Sequence, residues 1–307
     1  MPLIIPSSFL SALWARDIGV FLGSCGVDFR FGPPSDQAIL NRGIPRSCEE
    51  FCFPLKLFCG HVLALAESRE NRVLIPVITG NARKDSFLCH PQQRARDIAV
   101  NLELIEPERV VSPAFTYDDS LRLLPEGFIS LGAELGVPAP TIELALGSRE
   151  LLRTSARPPS AGARGKEKTG SRAPRIAVIG TPPVLKDALL GGKIRGMLDG
   201  LDARSVVPDV AGFSLGDYPK DFRHFTFDAM TRALADAAFR DPSIDGVIFL
   251  QAFLCGPCCN TPSDLRKEAR TKPFLPLVLD QEQSSTGLRT RIEAFLDIVI
   301  SSKGVRP

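Results

Sequence analysis

Short apolar runs alternate with amphipathic segments through the second half of the chain. Such runs are typical of strands that are buried on both faces of a parallel sheet. They predict strands at 175–180, 203–207, 244–250 and 274–279. Apolar positions with helical spacing predict helices over 184–198, 225–239, 262–269 and 288–300, the third of them capped by Thr261. This alternation indicates a doubly wound α/β unit.

The first half shows a similar but less regular alternation. Its apolar runs predict strands at 3–5, 27–31, 72–77 and 109–112, and its periodic segments predict helices over 8–22, 53–67, 118–134 and 141–152. The sequence therefore predicts an α/β fold of two Rossmann-like domains, each with a parallel sheet, and extra helices between them.

A segment rich in Pro, Gly, Ser and basic residues separates the two halves. It runs from 155 to 174 and reads SARPPSAGARGKEKTGSRAP, with almost no apolar content beyond alanine, so it cannot pack a core. The predicted organisation is an N-terminal domain with a helical extension over 1–154, a linker over 155–174 and a C-terminal domain over 175–307. No aromatic residues interleave with the basic ones, which argues against binding of nucleic acid.

Composition narrows the classes of protein. Hydrophobic residues make up 44% of the 307 residues, enough for real cores, and the net charge of +2 argues neither for nor against a polyanionic partner. No apolar run is long enough to predict a membrane span, and Arg16 and Asp17 interrupt the apolar start where a signal peptide would be uncharged. A cytoplasmic protein is expected, and its eight cysteines are then reduced and available for metal or redox chemistry.

Three cysteines are each followed by proline two residues later, in Cys52-Phe-Pro, Cys89-His-Pro and Cys255-Gly-Pro. Proline fixes φ and removes a backbone donor, so each thiol is held in a stiff loop. Cys89 and Cys255 follow predicted strands and Cys52 precedes a predicted helix. Since ligand sites of open α/β sheets lie at the carboxyl ends of strands, the three thiols are expected to meet between the domains.

Three kinds of site fit these cysteines. Cys52, Cys89 and Cys255 could hold an iron–sulfur cluster, because thiolates are its usual ligands. Cys48 and Cys52 with Cys255 and Cys258 approximate a four-thiolate zinc site, although its two pairs come from opposite halves of the chain. Cys255-Gly-Pro-Cys258 could instead be the redox pair of a thiol–disulfide oxidoreductase, although a bare Cys-x-x-Cys is a weak signal.

These cysteines stand in stretches that resemble the 2-hydroxyacyl-CoA dehydratases, in the branch called acyl-CoA dehydratase activase-related. The resemblance is carried by EFCFPLK at 50–56 with GHV at 60–62, LCHP at 88–91, GTP at 180–182 with Asp187, DGVIFL at 245–250 with FLCGP at 253–257, and TRIEAFLD at 290–297. It covers nearly the whole chain outside the linker. It implies that Cys52, Cys89 and Cys255 are cluster ligands, and Lys56 and Glu50 are the candidates for cofactor contacts.

The resemblance implies a 4Fe-4S or double-cubane cluster, with zinc as the lesser alternative. It implies an ATP-dependent activase that donates a low-potential electron, a second dehydratase subunit as a further partner, and a CoA thioester or another small molecule as substrate. The chain would then be a component of a reductase or dehydratase system. No phosphate loop of the Gly-Lys-Ser/Thr type is present, so the ATPase itself is not expected.

The chain departs from the family pattern at two places. Cys258 and Cys259 follow Cys255-Gly-Pro where relatives have an acidic residue, so Cys258 is a candidate fourth ligand. The loop DQEQSS at 280–285 lacks the histidine that relatives carry. That loss leaves a metal-stabilised accessory protein without catalysis as a further alternative.

Overall fold

The computed structural model describes residues 2–8, 11–148, 173–210, 212–219, 221, 224–269 and 272–304. The predicted linker lies outside the described residues except for its last two positions. The domain boundaries therefore stay a prediction. The strands, numbered along the chain, are β1 (Leu3–Ile5), β2 (Phe29–Phe31), β3 (Arg72–Leu74), β4 (Val77–Asn81), β5 (Val110–Val111), β6 (Ala114–Tyr117), β7 (Arg175–Gly180), β8 (Arg204–Val206), β9 (Gly246–Ala252) and β10 (Phe274–Leu279).

Helices connect most of these strands. The α-helices are α1 (Ser11–Ser24), α2 (Gln37–Gly43), α3 (Phe53–Ala66), α4 (His90–Gln93), α5 (Ala95–Asn101), α6 (Pro125–Glu134), α7 (Ala139–Leu146), α8 (Pro182–Lys186), α9 (Lys193–Asp199), α10 (Thr226–Arg240), α11 (Thr261–Ala269) and α12 (Ser285–Gly304). Short 3-10 turns occur at Ile44–Arg46, Pro107–Arg109 and Leu215–Asp217, and one π turn at Ala188–Gly192.

The strands pair in parallel throughout the described part of the chain, which confirms the predicted α/β fold. The first four-stranded sheet has the order β2-β1-β3-β5 and the second has the order β10-β9-β7-β8. If the strands of each sheet are numbered in chain order, both sheets have the same spatial order: second, first, third, fourth. The order reverses between β1 and β3 and again between β7 and β9, and such reversals are where open α/β sheets bind ligands.

Helix α3 packs between the two sheets and is buried on all sides. Leu55 and Phe58 belong to the apolar core around the first sheet, which also contains Trp14, whereas Phe53 and Leu57 belong to the core around the second. A helix that is apolar all round has no solvent face and must lie inside the fold. Its first residue therefore lies where the two cores meet.

Several predicted boundaries are wrong because local chemistry interrupts the apolar pattern. The strand predicted over 72–77 ends at Leu74; Pro76 has no N–H for a ladder, and β4 pairs with β6 instead. The helix predicted over 184–198 is broken at Asp187, whose carboxylate accepts hydrogen bonds from the N–H groups of Leu189 (2.8 Å) and Leu190 (3.1 Å). Asp187 thereby caps the π turn Ala188–Gly192, which leads into α9.

Two further helix predictions begin at the wrong residue. The helix predicted over 118–134 begins at Pro125, because the Asp118 carboxylate accepts from the N–H groups of Ser120 and Arg122 and holds a turn there. The predicted cap Thr261 lies inside α11, and its hydroxyl donates to Asp228 at 2.6 Å. Helix α2 was not predicted, although Asp36 caps it. The last residues of the helix predicted over 141–152 lie outside the described residues, and α7 ends at Leu146.

Candidate functional site

One pocket gathers four cysteines from distant parts of the chain. Cys52, Cys89, Cys255 and Cys258 all line it, and its volume is about 440 Å³ including the space open to solvent. Much of the rest of the wall is apolar, with Pro54, Pro183, Val184, Phe225, Phe227 and Ala252. The structure thus brings together the four thiols that the sequence singled out as metal ligands.

Cys52 and Cys89 are held by the same local device. Each directly precedes a helix in extended backbone, with φ and ψ of −62° and 154° at Cys52 and −61° and 149° at Cys89, and each helix has proline in its first turn. The N–H groups of Leu55 and Gln92 donate to the carbonyls of Cys52 and Cys89, at 2.9 Å in each case. The same two N–H groups partly offset the raised pKa of each thiol. The spacing Cys-x-Pro therefore aims a thiol into the pocket twice by the same geometry.

Cys255 and Cys258 share one turn after β9. The N–H of Cys255 donates to the carbonyl of Ala252 (3.1 Å) and the N–H of Cys259 to that of Gly256 (3.1 Å), and both Cys255 and Cys258 line the pocket. Cys258 is only 1% exposed, whereas Cys255 is half-buried. The preceding residue, Leu254, has a φ of +62°, a left-handed conformation that costs a leucine about 1 kcal/mol or more. The turn is therefore strained where the cysteines begin.

The pocket lies at the strand reversal of the second sheet. Thr181, which follows β7, and Ala252, at the end of β9, both line it. β7 and β9 approach closely there because Gly180, with a φ of +155°, has no side chain: a Cβ atom at this position would lie 2.6 Å from the Leu250 carbonyl oxygen. The topology thus places the thiols in the crevice that this class of sheet offers to ligands.

Burial decides the charge state of two of the thiols. It raises the pKa of Cys52 to about 11 and that of Cys89 to about 12, and the nearby charge of Lys56 lowers the pKa of Cys52 only in part. The hydrogen bond from Cys258 lowers the pKa of Cys255 and raises that of Cys258 well above its ordinary value. A bound cation would supply the charge that converts such thiols to thiolates, with release of protons.

The first turn of α10 braces the segment that leads to Cys89. Thr226 Oγ1 forms hydrogen bonds with Ser86 Oγ (2.8 Å) and with the Tyr117 hydroxyl, and its N–H donates to the Phe87 carbonyl (2.9 Å). All three side chains are buried. This network ties the second half of the chain to the strands of the first half beside the pocket.

The same turn of α10 anchors the other cysteine pair. Asp228 accepts hydrogen bonds from Thr261 Oγ1 (2.6 Å) and from Arg232 Nε (3.1 Å), and Arg232 also pairs with Asp264 at 3.0 Å. Thr261 closes the loop that carries Cys255 and Cys258. The charge of Asp228 raises the pKa of both thiols, so its carboxylate lies within their electrostatic reach.

The two residues predicted to contact a cofactor do not line the pocket. Lys56 is buried one turn after Cys52 and acts on it by charge, and Glu50 is exposed. Their roles stay predictions. Cys48 and Cys259 are exposed and Cys59 is buried inside α3, and none of these three lines the pocket.

Sequence reasoning missed several residues that shape the pocket. Phe225, the residue before α10, and Phe227, in its first turn, line the pocket, and Asp228 lines the wider cleft beside it; none of them gave a motif signal. Gln92 is 2% exposed, lines the pocket and has a side-chain oxygen that accepts no hydrogen bond among the described residues. Its place three residues after Cys89, in the first turn of α4, is the signal that could have found it. A buried acceptor of this kind fits a ligand that brings its own donor, or water.

The thiols do not converge on a single point. Within the described ranges, no three His, Cys, Asp or Glu side chains lie close enough to hold one metal ion. A tetrahedral zinc site, with Zn–S bonds of about 2.3 Å, needs sulfurs about 3.8 Å apart. A cluster is held differently, because each thiolate binds a separate iron and the sulfurs stand farther apart.

His61 belongs to a second buried network, beside the pocket helix α3. Its Nε2 lies 2.9 Å from Ser35 Oγ, and Ser35 donates to Asp187 Oδ2 at 2.5 Å. Because the single hydroxyl proton of Ser35 goes to Asp187, His61 must donate from Nε2, and its Nδ1 has no hydrogen-bond partner within the described chain. The network joins α3 to the loop before α2 and to the break after α8, and it has no access to the pocket lining.

We expect His61 to make stability depend on pH. Burial lowers its pKa from 6.5 to about 4, against the partly opposing charge of Asp36. Between these values the unfolded chain binds the proton more readily, so stability is lost as the pH falls through this window. The free energy of unfolding, from urea titrations, should drop by about 2 kcal/mol between about pH 7.5 and about pH 5 on account of this group.

Matched variants isolate that contribution. His61→Gln should remove it, whereas His224→Gln, at an exposed position, should keep it. Burial raises the pKa of Asp187, which acts in the opposite direction at lower pH, but Asp187 is present in all three proteins and cancels in the comparison. An unchanged pH dependence in His61→Gln would show that His61 does not titrate in this range.

The comparisons with known proteins bear on this arrangement. A family model described as "CoA enzyme activase uncharacterised domain" matches residues 5–210, more than half of the chain. The chain belongs to this family. The matched range includes Cys52, Cys89 and Thr181 and ends before Cys255. The activase-related part of the predicted resemblance is thereby confirmed.

Other comparisons add little. No curated protein matches the chain. Among solved structures, the glycosyltransferase SnogD from Streptomyces nogalater aligns over 97% of this chain and 94% of its own, at 13% identity and a TM-score of 0.19, which carries no argument. None of the helices in the described ranges combines the length and the apolar character that crossing a bilayer requires.

Proposed function

We propose that the chain is an iron–sulfur component of a CoA-enzyme system, loaded with one electron at a time by an ATP-dependent activase. The observation that supports it most is the pocket lined by Cys52, Cys89, Cys255 and Cys258. The four thiols come from both halves of the chain and line one pocket. Membership of a family described as a CoA enzyme activase domain supports the partner.

The arrangement favours a cluster over zinc. The four sulfurs surround a pocket without meeting at the spacing that a single ion requires, and a cluster accepts ligands distributed around its corners. The donor set is also the one that iron–sulfur clusters use. Bound there, a cluster would supply one-electron reduction of the substrate.

The chain's own groups would hold and insulate such a cluster. Backbone N–H groups of Leu55, Gln92 and Cys258 lower the pKa of Cys52, Cys89 and Cys255, so they would stabilise the thiolates of a bound cluster and help to set its potential. The apolar wall, including Phe225 and Phe227, would keep water from the sulfurs. Lys56 adds a positive charge next to Cys52, which offsets part of the negative charge of bound thiolates.

A wider cleft next to the pocket provides room for the substrate. Its volume is about 1490 Å³ including open solvent, and Phe87, Phe225 and Pro257 line both spaces. A CoA thioester or another small molecule that occupied this cleft would lie one side chain away from the thiols. A second dehydratase subunit belongs to the same proposal as the further partner.

Iron and acid-labile sulfide measured after anaerobic reconstitution test this function. The wild-type chain should be brown and hold several irons. Cys52→Ser and Cys89→Ser should each lower the iron content by roughly tenfold, since each removes a ligand. Cys25→Ser, a half-buried thiol remote from the pocket lining, is the matched control and should bind iron as the wild type does.

The proposal has a clear contrary outcome. A colourless preparation with one zinc per chain, or iron content that is unchanged in Cys52→Ser and Cys89→Ser, would remove the cluster from this pocket. The family membership would stand in either case.

Thiol–disulfide exchange on an external substrate is the second candidate function. Its support is the half-buried Cys255 with a lowered pKa beside the buried Cys258, the arrangement of an attacking and a resolving thiol. Insulin-disulfide reduction by the metal-free chain measures it. That activity should vanish in Cys255→Ser and persist in Cys52→Ser and Cys89→Ser if this function holds; no activity in the wild type would reject it.

A further inference from the structure

Two of the four pocket thiols come from a single turn, and both line the same pocket. Their interaction lowers the pKa of Cys255 and raises that of Cys258. The two residues lie in one turn, separated by Gly256 and Pro257, and both are free thiols. Cys52 and Cys89, by contrast, stand at the starts of two different helices.

We propose that Cys255 and Cys258 form a reversible disulfide, and that this disulfide and the cluster exclude each other. A sulfur in a disulfide is no thiolate, so closure would remove two of the four ligands at once. The redox state of Cys255 and Cys258 would thus determine whether the pocket can bind a cluster. This inference rests on the proposed function for its second half, the exclusion, and not for its first half, the disulfide.

The exposure of the two thiols sets the order of the reaction. Cys255 is half-buried and can be reached from outside, whereas Cys258 is 1% exposed and can be reached only by Cys255. The Cys255 thiolate would attack a disulfide such as oxidised glutathione and release one glutathione thiol. Cys258 would then attack the Cys255 sulfur and release the second. Two protein thiols are oxidised, one external disulfide is reduced to two thiols, and the protons pass to the departing thiolates.

The turn favours disulfide formation between Cys255 and Cys258 over other pairings and requires little rearrangement for it. The closed loop spans only Gly256 and Pro257 between the two cysteines, and both cysteines already line one pocket, so little backbone movement is required. Cys259 is adjacent but faces elsewhere: it is exposed and lines the wider cleft instead of the thiol pocket. It therefore offers a matched control one residue away.

Mass spectrometry of the metal-free chain tests the disulfide. The reduced protein is treated anaerobically with oxidised glutathione and digested without reductant. A single peptide in which Cys255 and Cys258 are joined to each other, lighter by two hydrogens than the reduced peptide, is expected. Cys258→Ser should instead trap one glutathione on Cys255, and Cys259→Ser should behave as the wild type. Absence of the Cys255–Cys258 link in the wild type would overturn the inference and leave the proposed function untouched.

A second measurement tests the exclusion. Protein reconstituted with iron and sulfide, then freed of reagents by gel filtration, meets the same oxidant. Disulfide formation should be slowed by roughly tenfold relative to the metal-free chain, because the thiolates are engaged. Equal rates with the iron retained would overturn the exclusion. A reduced chain that takes up no iron would overturn the exclusion and the proposed function together, while the disulfide would still stand or fall by its own measurement.

Discussion

Replacing Gly60 by alanine should destabilise the protein by about 3 kcal/mol, at the upper end of the usual range for overpacking. A Cβ atom at this position would lie 2.0 Å from the Ile39 carbonyl oxygen, and the Gly43 position opposes it with a Cβ at 2.1 Å from the Lys56 carbonyl oxygen. Two backbones, and not flexible side chains, meet here. The clash of an added Cβ atom can therefore be relieved only if α2 and α3 move apart.

The expected loss of stability is opposite in sign to the effect of helix propensity alone. A measured loss would therefore identify the backbone clash as its cause. Alanine is favoured over glycine inside a helix by about 0.5–1 kcal/mol, too little to offset the backbone clash. Gly196 in α9 is the matched control, because nothing lies within 4 Å of its Cβ position. Urea unfolding followed by circular dichroism should show Gly60→Ala weakened and Gly196→Ala slightly strengthened. Equal shifts in the two variants would mean that α2 and α3 do not cross at the glycines.

Arg232→Met should cost about 3 kcal/mol of stability by leaving two carboxylates without their shared cation. Arg232 and Asp228 are each about one-tenth exposed, and the guanidinium bridges Asp228 and Asp264 across α10 and α11. Asp228 would keep only Thr261 as its donor among the bonds described above. A buried carboxylate deprived of its cation is among the more destabilising single changes.

The same helix supplies the control. Arg240 pairs with Asp236 at the same four-residue spacing, but its side chain is 83% exposed and the pair is 3.6 Å apart. Arg240→Met should change the free energy of unfolding by less than about 0.5 kcal/mol. Thermal unfolding of the two variants measures the difference. Similar small losses in both would show that the Asp228–Arg232–Asp264 network contributes no more than a surface ion pair.

The gathering of the pocket cysteines was partly predictable from local patterns. Cys52 was expected to precede a helix and does so, whereas the short helix α4 after Cys89 was not predicted, and Cys255, in the third Cys-x-Pro, lies in a turn after β9. The topology could also be anticipated, since alternating strands and helices leave few arrangements, and it brings the loops after β7 and β9 together. Cys258 was found by its spacing from Cys255.

The rest of the site depends on packing that no local pattern carries. Phe225 and Phe227 reach the pocket only because α10 docks through Thr226 on the segment before Cys89, a contact between residues far apart in the chain. The broken helices failed for another reason. Asp187 and Asp118 lie in stretches with good helical periodicity, and their carboxylates bind nearby backbone N–H groups, which the spacing of apolar residues does not reveal.

The division of the four cysteines between the two sheets has a mechanical consequence. Cys52 and Cys89 directly precede helices α3 and α4 in the first half of the chain, and Cys255 and Cys258 lie in the turn after β9 in the second half. A ligand bound by all four cysteines would cross-link the two halves of the fold. Its binding free energy would add to the free energy needed to separate those halves. Loss of that ligand would weaken the contact between the two halves before any strand unfolded.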